Sequence, residues 1–200
     1  MKRTVLVAVL LGLAILAASG GSTVTRTVLV RVEADPNPWV ESHLESKLIE
    51  QLTRSRHLRA ASGRDLDHYP PLPAALHDVD SLINWGIEAG GRYVLLVRID
   101  DQRLERRKTF AIPLLFHKWK TIGVVEGELR LVDIERGILL TAEPFVIERE
   151  AKRQFQLAID DDQTDPSLRV SAVEKLRFFD QLEEDASRYL MERISQYIRG

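Results

Sequence analysis

The spacing of apolar residues changes several times along this chain, and each change marks an element. Residues 24–34, VTRTVLVRVEA, are β-branched and partly alternating, which predicts a strand. Asp35-Pro36-Asn37-Pro38 then reads as a turn, with Asn37 as N-cap and Pro38 opening a helix to about Ser55. In that helix Val40, Leu44, Leu48 and Leu52 recur every four residues with Ile49 beside them. Glu41, Glu45, Lys47, Glu50 and Arg54 fall on the opposite face. Leu58 to Ala61 is a short extended segment, and the Pro- and Asp-rich residues 62–80 form an irregular connection. A second helix runs from Asp80 or Ser81 to Ala89 and stops at Gly90-Gly91.

YVLLVRI, from Tyr93 to Ile99, is nearly all apolar, as expected of a central strand covered on both faces. A charged patch from Asp100 to Lys108 separates it from a second apolar run ending at Phe116. Residues 121–134 are the next strand, Glu135-Arg136-Gly137 a tight turn, and residues 138–157 a further strand interrupted near Pro144. That last strand alternates imperfectly, as at a sheet edge. After Asp160-Asp161-Asp162 a long helix reaches about Ile198. Ser171-x-x-Glu174 matches a capping box, with Asp165 or Ser167 as earlier alternatives. Its stripe is Val173, Leu176, Phe179, Leu182, Ala186, Tyr189 with Leu190, Ile194 and Tyr197. The order β-α-β-α-β-β-β-α predicts a single-domain α/β sandwich with a mixed sheet packed by helices.

The first residues follow a different rule. Lys2 and Arg3 precede an uncharged stretch from Thr4 to Ala18, and Ala17 to Gly21 are all small. This is the pattern of a secretory signal peptide over residues 1–21, with cleavage after Ser19, Gly20 or Gly21 and an α/β domain over 22–200. The competing reading is an uncleaved anchor. Its apolar stretch is shorter than the ~20 residues that span a bilayer as a helix. The expected location is the periplasm or cell envelope.

Composition narrows the chemistry. The 200 residues are 44% hydrophobic and 29% charged, ordinary for a globular chain. With 28 basic and 30 acidic residues the net charge is −2, which argues against a nucleic-acid binder. No cysteine is present, which excludes disulfides, thiolate metal sites and cysteine nucleophiles.

Three stretches carry a family resemblance: VESHLESKLIEQLTRSRHLRAASGRDL, INWGIEAGGRYVLLVRI and GELRLVDIERGILLTAEP. Together they resemble the periplasmic α/β domains of the curli secretion lipoprotein, the penicillin-binding-protein activator lipoproteins and the amino-terminal domain of the Tol translocation protein. The resemblance implies a binding or assembly module of the cell envelope, with envelope proteins as partners and no catalytic residues. The chain departs from it in having no cysteine to acylate.

No nucleophile–base set, phosphate loop or cofactor motif is found, so neither an enzyme nor a cofactor is expected. Glu126 and Glu128 lie two apart on one strand near Arg130, which suits an exposed charge ladder. The tightest cluster of potential metal ligands is Asp65, Asp67, His68, His77, Asp78 and Asp80. It matches no standard spacing, and solvation with helix capping by Asp78 or Asp80 explains it more simply. It supports the rival reading, a small-ligand or divalent-metal-binding periplasmic protein. Asp160 to Ser171 fails the calcium-loop pattern.

The stretch RRKTFAIPLLFHKWK, Arg106 to Lys120, is the strongest candidate contact. Phe110, Leu114, Phe116 and Trp119 would anchor it, with Arg106, Arg107, Lys118 and Lys120 as a basic rim. It predicts a partner-docking loop over residues 109–120 with peripheral membrane contact. The bland alternative is a segment folded over the core. The last helix allows self-association, with Phe178 as a candidate for the extra contact.

Overall fold

The structure is a computed structural model. It describes residues 26–34, 42–55, 57–63, 78–112, 116–150, 164–165 and 170–198, with side chains at all of these except 108–112, 116–119 and 164–165. The elements are β1 (Arg26–Ala34), α1 (Leu44–Thr53), β2 (Leu58–Ser62), α2 (Val79–Glu88), β3 (Tyr93–Ile112), β4 (Phe116–Asp133) and β5 (Ile138–Glu150). A two-residue ribbon, β6 (Thr164–Asp165) and β7 (Val170–Ser171), precedes α3 (Ala172–Ile198). The five-stranded sheet has the order β2-β1-β3-β4-β5. β1 is parallel to both its neighbours, and β3, β4 and β5 are antiparallel. This is the predicted mixed-sheet α/β sandwich. Residues 1–21 lie outside the described residues.

Alternation in β3 divides the core. Tyr93, Leu95, Val97 and Ile99 join Val28, Val30 and Val32 under α1 and α3. Val94 and Leu96 join Leu29, Val132 and Ile134 on the other face, where α2 contributes Leu82 and Trp85. Apolar side chains on both faces are what made Tyr93–Ile99 read as a continuous run. Each fully buried Leu contributes roughly 1.5–3 kcal/mol, and Leu44, Leu48, Leu52, Leu182 and Leu190 are all at 0% exposure.

The helices begin where hydrogen-bond acceptors are available. Asp78 accepts from Ser81 N at 3.1 Å, so α2 starts at Val79, slightly earlier than predicted. Ser171 and Glu174 form the reciprocal capping box at α3, with Glu174 Oε2 accepting from Ser171 N at 3.2 Å. α1 departs from its prediction. Asn37 and Pro38 lie outside the described residues, and Ser42 and His43 are not helical. The helix begins at Leu44, where the carboxylate of Glu183 on α3 accepts from His43 N at 3.1 Å. Its first turn is thus capped from another element.

Glu45 also corrects the sequence reading, which placed it on the solvent face. It is 7% exposed. β2 ends at Ser62, paired with Val30, so Val32 N has no strand on that side among the described residues. Glu45 Oε2 accepts from Val32 N at 2.9 Å and Oε1 accepts from the Ser62 hydroxyl. A buried carboxylate thus terminates the β1–β2 ladder.

Further corrections concern the second half. β3 continues straight through the charged patch, with a bulge between Ile99 and Asp101. Pro144 does not interrupt β5. It pairs with Glu128 on an edge strand, where a missing N–H can face outward. Val173 and Leu176 are 60% and 51% exposed and so lie off the packed stripe of α3. Phe178 faces inward, because Gly123 leaves room for it: a Cβ at 123 would stand 2.5 Å from the ring. Gly127 is tighter still, since its Cβ would lie 2.1 Å from the Arg98 carbonyl oxygen.

Glu45→Ala would remove the carboxylate that accepts from Val32 N and from the Ser62 hydroxyl, and should cost about 1–3 kcal/mol, read from the urea midpoint at constant slope. An unchanged midpoint would mean that Val32 N–H finds another partner.

Candidate functional site

α2 covers only the lower part of its sheet face. Above it, the outward side chains of β3, β4 and β5 are charged and interlock. Arg98 donates from Nε to Asp100 at 2.6 Å and approaches Glu128 at 3.4 Å. Arg130 reaches the same Glu128 at 2.7 Å. Arg103 pairs with Asp101 and, at 2.7 Å, with Glu126. Arg107 pairs with Glu105 and forks onto both oxygens of Glu148, at 2.8 and 2.9 Å. The ladder read from Glu126, Glu128 and Arg130 is therefore one part of a three-strand lattice.

This lattice follows from register. Arg103 stands opposite Val124, which stands opposite Glu148. Val124 is 1% exposed although no helix among the described residues lies over it. The aliphatic stems of its charged neighbours close over it while their heads stay in water. Exposed pairs of this kind each contribute little stability, about 0–1 kcal/mol. The hydrogen bond from Arg107 holds the Glu148 carboxyl below its ordinary range. The guanidiniums are correspondingly held charged: Asp100 raises Arg98, Glu126 raises Arg103 and Glu148 raises Arg107.

On the opposite face α3 is stitched to the edge strand. Arg149 pairs with Asp185, and Arg193 forks onto Glu143, which raises the Arg193 guanidinium. Lys47 of α1 pairs with Asp180 at 2.5 Å, and Gln51 donates to Ser187 at 2.8 Å.

The residues singled out at 109–120 are placed as follows. Most of this segment is strand rather than loop: β3 runs to Ile112, β4 starts at Phe116, and Ile112 pairs with Phe116. Phe110 pairs with Lys118, and Lys108 with Trp119, at a second register shift. Leu114 lies outside the described residues, as do the side chains of Phe110, Phe116, Lys118 and Trp119. Arg107 is held in the lattice, and Lys120 pairs with Glu150 at 2.5 Å. Arg106 is half-buried, on the α3 face by alternation with Leu104. Asp65, Asp67, His68 and His77 lie outside the described residues. Among the described residues no group of three metal-ligating side chains converges, and no helix is long and apolar enough to cross a membrane.

β5 ends at Glu150, opposite Ile122. Beyond it the β3–β4 hairpin has no flanking strand among the described residues. From Arg106 to Ile112 it extends roughly 23 Å at about 3.3 Å per residue. Isolated two-stranded ribbons are marginal. The pairs Arg107–Glu148 and Lys120–Glu150 anchor both strands of this one at its root.

No family profile and no curated protein matches the chain. Solved structures similar to it include a hypothetical protein of Chlamydia trachomatis, 11% identical over 86% of this chain and 98% of that one, with a TM-score of 0.49. Rare lipoprotein B of Shewanella oneidensis is 15% identical over 84% and 94%, with a TM-score of 0.39. A minor lipoprotein of Acinetobacter baumannii is 11% identical over 84% and 90%, with a TM-score of 0.40. Bacterial lipoproteins are thus among the structures it is similar to. A likeness at this level assigns no role.

Arg107→Gln should return the Glu148 carboxyl upward toward its ordinary value, read by NMR titration of its side chain. The sign follows from the depressed native value: the Arg107 interaction stabilises the fold above the unfolded pKa and is lost as pH falls through the folded one. A Glu148 titration identical in the variant would sink this assignment.

Proposed function

We propose that this chain is a non-enzymatic, exported cell-envelope protein that acts as a protein-binding and assembly module. Its contact surface is the far end of the β3–β4 hairpin. The observation that carries this reading is the hairpin itself. Two strands rooted in the core run past their last described neighbour and end in an apolar, basic-flanked sequence. Phe110, Leu114, Phe116 and Trp119 are the anchors. Arg106, Lys118 and the paired Arg107 and Lys120 set the local positive charge that draws the tip to an acidic protein or to anionic headgroups. The amino-terminal apolar stretch behind Lys2 and Arg3 supports export.

The test is the variant Phe110→Ser, Phe116→Ser, Trp119→Ser in cells making the tagged full chain. After cross-linking and fractionation, the variant should lose its cross-linked envelope proteins while its thermal unfolding stays within about 3 °C of wild type. Unchanged cross-links would reject the hairpin end as the contact surface. A collapse of the unfolding temperature would make these residues core.

A further inference from the structure

α2 presents more apolar surface than its own packing uses. A Cβ at Gly86 would stand 2.5 Å from Ile134 and 3.0 Å from Val94, so this side of the helix lies over β3 and β4. The Trp85 ring lies the other way, beside Gly63 at the end of β2. Successive residues step about 100° round a helix. The flank beyond Gly86, turned toward β5, therefore carries Val79, Ile83 and Ile87 at four-residue spacing. Ile83 is only partly buried, and Ile87 is 61% exposed.

The strand beside that flank is apolar too. Leu139, Ala142, Pro144 and Val146 stand opposite Val132, Arg130, Glu128 and Glu126, and so lie on the α2 face of β5. All four are exposed, Leu139 by 38% and Val146 by 59%. Their β4 neighbours above Val132 are all charged, so an uncharged run on this edge strand is out of keeping with the face around it. Together β5 and the stripe on α2 form the floor and wall of one ledge. Contiguous exposed apolar positions of this kind mark contact surfaces.

We infer that this ledge joins two copies of the chain, each laying its α2 on the other's β5. The stripe itself points to a second copy as the occupant. Ridges of residues four apart interdigitate when two such helices lie side by side. A two-fold axis running roughly along the strands sets stripe against stripe and turns the outer surface of each α2 toward the ledge of the other copy. Charge agrees with this arrangement. α2 runs back along the sheet from the level of Val94 and Val132, where Gly86 sits, toward that of Leu96 and Arg130. Its outer surface places Asp80 and Ile87 about 10 Å apart at 1.5 Å per residue. The ledge offers the same order, Leu139 at the lower level and Arg130 beside Ala142 above it. Ile87 then meets Leu139 of the partner copy, and Asp80 meets Arg130 of the partner copy, which keeps its bond to Glu128. α2 carries no Lys or Arg to oppose that arginine. Each contact occurs twice, as an isologous interface requires. Self-association thus belongs to α2 and β5 rather than to the last helix, where the sequence suggested it.

The sequence has no cysteine, so introduced thiols report this contact alone. Full chains carrying Ile87→Cys and full chains carrying Leu139→Cys, with tags of different size, are mixed and mildly oxidised. A mixed disulfide dimer should form. Arg188→Cys, exposed on α3, should give none above background with the same Leu139→Cys chain. In sedimentation equilibrium the wild-type chain should dimerise. Ile87→Glu should weaken that association at least ten-fold and Asp80→Lys by less, both with an unchanged unfolding temperature. A wild-type chain that stays monomeric at millimolar concentration would overturn the inference, whatever else the ledge binds. So would a dimer undiminished by Ile87→Glu, or equal disulfide yields from Arg188→Cys and Ile87→Cys. If Ile87→Glu does not fold, the disulfide between separate chains still decides. The hairpin variant Phe110→Ser, Phe116→Ser, Trp119→Ser should dimerise like the wild type, so this contact and the proposed contact surface fail independently.

Discussion

A single buried carboxylate, Glu45, reconciles a short strand with a long one. β1 needs acceptors on both edges, and β2 supplies them only as far as Ser62. Beyond that point the backbone of β1 would be unsatisfied in a nearly dry core, at a cost comparable to a lost hydrogen bond. Glu45 meets this need from the first turn of α1, and in doing so sets where α1 lies on the sheet. α1 then presents Leu44, Leu48 and Leu52 to the core, and its buried N-terminus is met by Glu183 of α3. The position of α3 therefore follows from that of α1, and both follow from the end of β2.

The two sheet faces meet water differently. One is closed by α1 and α3, with cross-links from Arg149 and Arg193 to the helix and strand carboxylates. The other is closed by α2 only in part, and its remainder is sealed by charge. Among the described residues, alternating acidic and basic side chains on three strands surround Val124, which is 1% exposed. Such a surface is also a poor template for nonspecific stacking, since any flat apolar partner would have to desolvate the whole lattice.

Element order was legible in the sequence because the apolar period switches cleanly between two and four. The caps at Asp78 and at Ser171 with Glu174 were legible because they are local, and so were the turns at Gly90 and Gly137, both at positive φ. What was hidden depends on distant partners. Glu45 sits among polar residues on a helical wheel, and only the length of β2 explains its burial. The start of α1 depends on Glu183, 140 residues away. The charged run from Asp100 to Lys108 reads as a break until Glu126 and Glu148 are placed beside it. Within the candidate site, Glu126 and Glu128 could be assigned to one face by their spacing.

Arg26 opens β1, and its guanidinium reaches the carbonyl of Ile198 at 3.3 Å, in the last turn of α3. The larger core face is likewise shared between β1 and α3. Chains are made from the amino terminus at about 5–20 residues per second. The first strand can be covered early by α1, but its contact with the last turn of α3 forms only once that helix has been made. A chain built this way stays unfinished, and threadable, for as long as its last helix is withheld.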